Sequence, residues 1–265
     1  MTLLKREIAP ILPDAWAAID NEARRALKLK LAGRKVVDVK GPYGWTLSSV
    51  NTGKLQLLDA EPTPGVNVGV RQVQPIVELR TPFELQLMEL DSICRGDESP
   101  NLDAVAEAAD RIARAEDGAI FQGFAAGSIP GLLGSLSAEP IPFGESPEER
   151  LAAVVQARRT LQRADVDGPY ALVVGEAAHA AILQAADDGY PLVKRLSSLL
   201  EGPLIRADVL DGGVLVSLRG GDFELTIGQD ISIGYVSSDR HTAELFMASS
   251  FTFRVLEPDA AVALS

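Results

Sequence analysis

One stretch of this 265-residue chain has no core of its own. Residues 54–59 and 66–73 read as strands, and Glu61-Pro62-Thr63-Pro64-Gly65 between them breaks regular structure. The surrounding region, from the turn-rich Gly41-Pro42-Tyr43-Gly44-Trp45 to about Pro75, is polar. The pattern predicts a long hairpin with an irregular tip. A two-stranded ribbon is marginal in water. The arm therefore needs another surface to lie on, and another subunit is one such surface.

The remaining elements supply a body for this arm. Asp14 can cap a helix over 14–31, in which Trp16, Ile19, Ala23, Leu27 and Leu31 form one apolar stripe and which Gly33 stops. Arg24, Arg25, Lys28 and Lys30 form a basic run on it, either a solvated face or a contact surface for an acidic partner. Residues 36–39 read as a short strand and 76–91 as a single long one, with Pro82 marking an edge or bulge. Pro100 opens the longest helix, 100–126. From Gly127 the chain turns rich in Gly, Ser and Pro, a boundary. Ser146 and Glu149 have the spacing of a capping box for a helix to about 164. A buried-looking strand over 170–174, helices over 176–186 and 192–200, and strands over 204–209 and 214–218 follow. The segment RGGDFELTIGQDISIGY, 219–235, reads as strand, tight turn, strand; no Lys follows its glycines, so it does not read as a phosphate loop. A Phe-rich strand over 244–256 comes last.

Signals for catalysis are missing. Two histidines, His179 and His241, stand apart, and Cys94 is the one cysteine, so neither a zinc cluster nor an intramolecular disulfide is available. Gly-x-Ser-x-Gly is absent. No cofactor and no metal are expected. A net charge of −12 without a basic stripe or tail argues against nucleic acid and anionic membranes as partners. No apolar run reaches the roughly 18 residues of a membrane span. The opening residues, interrupted by Lys5, Arg6, Glu7, Pro10 and Pro13, do not read as a signal peptide. A reducing cytoplasm fits the cysteine usage. The residues describe a scaffold with an arm.

Seven segments carry a family resemblance: LKREIAPILPDAWAAID, LAGRKVVDVKGPYGW, PFELQLMELD, DGPYALVVG, DGYPLVKRL, RGGDFELTIGQDISIGY and SFTFRV. In this order they resemble the encapsulins, bacterial nanocompartment shell proteins once filed as linocin-type bacteriocins. The resemblance implies an α+β chain with the tailed-phage major-capsid-protein fold. It implies a peripheral domain (1–45, 75–131 and 218–265, with 100–126 as spine helix), an extended loop (46–74) and an axial domain (132–217). It looks like the compact-shell branch, in which closed icosahedral symmetry gives about 60 copies. Such shells enclose a cargo enzyme, a ferritin-like iron oxidase or a dye-decolorising peroxidase, held by its C-terminal peptide. On this resemblance Leu27, Leu31, Arg34, Val37, Asp38, Ile231 and Ile233 would bind the peptide. Asp187, Asp188, Gly189 and Tyr190 would border the five-fold pore. Two other readings stay open here: a protease, which needs a nucleophile and base that the sequence does not place together, and a prophage capsid protein of the same fold.

Overall fold

The computed structural model describes residues 3–187 and 190–265. The first helix, α1, spans Pro13–Lys30. Pro13, not Asp14, opens it, with Leu12 in the cap position. Proline suits the first helical position because its fixed φ is already helical and its missing N–H has no partner there. Then come β1 (Asp38–Lys40), β2 (Ser49–Leu58), β3 (Val68–Pro75) and β4 (Val77–Gln86). The expected single strand over 76–91 ends at Gln86 and continues as helix α2, Leu87–Cys94. Its partner strand sets that limit: Gln86 pairs with Thr242, and Leu87 N–H then donates to the His241 carbonyl at 2.7 Å.

The spine helix α3 runs Asp103–Phe121, shorter at both ends than 100–126. Pro100 lies in the approach to it. Gly123 ends it at φ +94°, where a Cβ would meet the Pro130 carbonyl oxygen at 2.6 Å. Helix α4, Pro147–Arg163, begins on the capping box: Ser146 Oγ accepts from Glu149 N–H at 3.2 Å and Glu149 accepts from Ser146 N–H at 3.0 Å. Next are β5 (Tyr170–Val174), α5 (Glu176–Gln184), β6 (Ala186–Asp187), β7 (Tyr190–Pro191) and α6 (Leu192–Leu200). The chain closes with β8 (Glu201–Arg206), β9 (Gly213–Ser217), β10 (Phe223–Ile227), β11 (Ser232–Ser238), β12 (Thr242–Val255) and β13 (Ala261–Leu264).

The first sheet is organised by β12. Strands β10 and β11 pair with it one after the other along one edge, β4 pairs along the other, and β1 lies parallel outside β10. Pro82 is tolerated because β4 is an edge strand. The segment 219–235 is therefore not a hairpin. Both its strands run the same way along β12, and residues 228–231 bulge out opposite Ser249 and Ser250. Gly220 and Gly221, at φ +82° and +85°, make the turn into it. The second sheet has the order β13-β9-β5-β8. Strand β13 belongs to it, with Ala261–Leu264 paired antiparallel to β9.

Two apolar clusters hold the body. One joins α1, α3 and the first sheet through Trp16, Ile19, Val105, Ile112, Phe83 and Leu245. Small Ala23, Ala108 and Ala109 let the helices approach. The other runs from Ile120 and Phe121 through Phe223, Phe251 and Phe253 into the second sheet. The arm, β2 paired with β3, stands outside both. Its Leu55, Leu57, Val66 and Val70 are exposed, Leu57 at 72%.

Candidate functional site

A groove of about 640 Å³ lies between the C-terminal half of α1 and the bulge that leads into β11. The helical stripe explains it. Trp16, Ile19, Ala23 and Leu31 of the stripe are buried, and Leu27 among them is only partly covered. Leu27 is left half-buried over the groove, facing half-buried Ile231. Ala23, Leu31 and Ile233 are buried along its lining. Leu4 and Arg6 complete the lining. Arg6 is fixed on three sides: two hydrogen bonds to the Asp20 carboxylate (2.8 and 2.6 Å), one to the Ile233 carbonyl (2.7 Å), and a position 4.3 Å from the Trp16 ring centre. Arg24 and Lys28 stand exposed among the lining residues.

Arg34 lines the groove but is already engaged. Its Nε and Nη2 donate to Glu116 at 2.6 and 2.8 Å, and Nη1 donates to Asp230 at 2.8 Å. Glu116 is fully buried in α3. Its neighbour Asp117 accepts the backbone N–H groups of Ala32 and Gly33 at 2.9 and 2.8 Å. Burial pushes the Asp117 carboxyl up to about 6, against the pull of those two N–H groups. Together Glu116 and Asp117 fix the loop after α1 and, through Arg34, the bulge. Sequence pattern missed both, because acids on a helix ordinarily face water.

The residues expected to bind peptide thus separate. Leu27, Leu31, Arg34, Ile231 and Ile233 share the groove. Val37 and Asp38 line a different, smaller cavity of about 210 Å³ with Lys35 and Phe223. Asp38 is committed there: it starts β1 and accepts the Gly221 N–H at 2.5 Å, stabilising the glycine turn. Of the pore residues, Asp188 and Gly189 lie outside the described residues. Asp187 pairs with Tyr190 across β6 and β7, and Tyr190 is exposed with Arg195 5.9 Å from its ring centre. Among the described residues no group of His, Cys, Asp or Glu is arranged for a metal, and no helix is long and apolar enough to cross a membrane.

A spine helix, a β12-centred sheet, a second sheet and a projecting arm define a capsid-type shell subunit. Solved structures carry the same fold at low identity. A virus-like particle from Pyrococcus furiosus superimposes with a TM-score of 0.67 at 16% identity, covering 94% of this chain and 99% of that one. A structure of Mycobacterium phage Bobi gives 0.60 at 14%, covering 89% and 90%. The family model described as encapsulating protein for peroxidase matches residues 1–252. Type 1 encapsulin shell proteins of Rhodospirillum rubrum and Brevibacterium linens are 46% and 42% identical, over all of this chain and 96% and 100% of theirs. That of Mycobacterium tuberculosis is 39% identical over the full length of both. The chain belongs to this family, the type 1 encapsulin shell proteins. It is a structural subunit that associates with itself into a capsid-like compartment, not an enzyme.

Proposed function

We propose that the shell retains a cargo enzyme by binding the enzyme's C-terminal peptide in the α1–β11 groove. The observation that carries this is the pair Leu27 and Ile231, half-open apolar side chains above a buried floor, in a groove where Arg34 is already paired with Glu116 and Asp230 and Arg6 with Asp20. Such a groove suits two or three Leu or Ile side chains. Their burial contributes ~1.5–3 kcal/mol each before ordering costs, so one site is weak. About 60 sites facing one multimeric cargo hold it by avidity. The family model's description favours a peroxidase as cargo; a ferritin-like iron oxidase suits the acidic Asp187-Asp188 pair if that turn borders a cation pore.

The buried Ile233 is a poor test residue, since a charge there would disrupt the α1 cluster. Ile231→Asp is the better one. Particles of this variant should form at wild-type yield while a reporter carrying a Leu/Ile-rich tail no longer co-purifies. Packaging at the wild-type level would remove the groove from the mechanism.

A further inference from the structure

The arm leaves the body through a fixed root and an irregular joint. In the root, Arg254 of β12 donates from Nη1 to the Asn51 carbonyl at 3.0 Å, and Gln74 of β3 donates from Nε2 to the Ser128 carbonyl at 2.5 Å. Arg254 is itself held. Its Nη2 pairs with Glu224, a carboxylate 3% exposed within β10, which Lys40 also binds. The pairing register of β2 and β3 then breaks. Asn51 faces Val73 and Leu55 faces Arg71, so residues 52–54 oppose Gln72 alone. Gly53 takes φ +75°, and Thr52 Oγ1 ties the bulge to the Gln72 carbonyl at 2.8 Å. Beyond it, residues 54–67 are exposed.

A buried carboxylate flanked by two cations, one of which reaches out to a single arm carbonyl, is more than the sheet needs. A buried ion pair stabilises little over an apolar pair. Its geometric use is different: a guanidinium presents donors in a rigid fork, so one arm on Glu224 fixes where the other points. The fork ends on Asn51, the last paired residue of β2 before the bulge. We propose that Arg254 is a positioning residue for assembly: anchored on Glu224, it grips the Asn51 carbonyl and sets the direction in which the arm leaves the subunit, with 52–54 as the hinge beyond the grip. This rests on the arm's lapping onto a neighbouring copy.

Three variants and a deletion test it. Arg254→Gln removes both contacts. Arg254→Lys keeps a cation opposite Glu224 but lacks the second arm of the fork. Closed particles are counted by size-exclusion chromatography and negative-stain microscopy. Limited trypsinolysis of the unassembled fraction reads cutting after Lys54 against cutting elsewhere. Both substitutions should lower the yield of closed particles at least several-fold and speed cleavage after Lys54, while Arg254→Lys restores the overall resistance of the body. If Arg254→Lys restores particles to wild-type yield, Arg254 serves only the charge of Glu224 and the proposal fails. Should neither variant fold, Gly53→Ala decides: it leaves Arg254 untouched and strains the hinge, so wild-type particle yield overturns the proposal and a several-fold loss supports it. Deleting residues 57–70 separates the two levels. Particles from the deletion overturn the lapping arm itself, and with it the role given to Arg254. No particles from it, beside normal ones from Arg254→Gln, overturn the grip alone.

Discussion

Asp117 fastens the loop after α1 from a site that disfavours its charge. Its carboxyl sits at about 6, above the ordinary 3.8. The folded subunit therefore binds a proton more readily than the unfolded chain between those values. The resulting stabilisation is complete below 3.8 and is lost as pH rises through about 6. The rise from 3.8 to about 6 corresponds to on the order of 3 kcal/mol. Asp117→Asn cannot titrate, so the stability of wild type relative to this variant should fall by that order between about pH 4 and pH 7. Urea unfolding of both chains across the range measures it, and parallel curves would show that the carboxyl is not perturbed. Glu224 behaves oppositely. Burial raises its pKa, but the hydrogen bonds from Lys40 and Arg254 outweigh that and hold it below the usual carboxylate value. Its contribution is present at neutral pH and fades on acidification, so only the difference between wild type and variant isolates Asp117.

At the scale of elements, α1 and α3 are tied to the second sheet by charges. Lys30 lies 3.0 Å from Asp110 and 3.3 Å from Asp208, Arg114 donates to Asp110 at 2.7 Å, and Arg206 pairs with Asp208 at 2.8 Å. The Asp208 side chain is only 14% exposed. Asp208→Asn leaves Lys30 and Arg206 partly unpaired and should cost about 1–3 kcal/mol, between surface and buried pairs. A lowered urea midpoint with an unchanged slope is the expected reading. Part of this architecture is legible in sequence. The capping box of α4 is local, so Ser146 and Glu149 announce it, and the arm announces itself as two strand-like runs on either side of the break Glu61-Pro62-Thr63-Pro64-Gly65. What depends on distant partners is not legible. Strand β4 stops because β12 begins at Thr242, and no residue near Gln86 says so. The bulge at 228–231 looks like a hairpin turn because the strand that keeps both flanks aligned lies some twenty residues on. Lys30 reads as part of a solvated basic face, yet its acids come from α3 and from beyond β8. In the groove, Leu27 and Leu31 follow from helical spacing, whereas Glu116 and Asp117 do not.

For the whole molecule, the proposed lapping of the arm onto a neighbouring copy would cover Leu55, Leu57, Val66 and Val70, which the single subunit leaves exposed. Deleting residues 57–70 should leave folded subunits in small oligomers or aggregates, visible by negative-stain microscopy. If the Asp187-Asp188 turn rings an opening, shells of Asp187→Ala/Asp188→Ala should admit divalent cations more slowly at low salt, read as the quenching rate of an enclosed dye; an unchanged rate makes the turn an ordinary acidic surface. The bulge at 228–231 has a further consequence for how such shells diversify. Strands β10 and β11 each keep their own register on β12, so a change at Ile231, whose side chain lines the groove, need not shift either strand. If the groove holds cargo as proposed, selection acting on what it accepts is thereby released from selection acting on how the container closes. On that reading, lineages can change their contents while inheriting the same box.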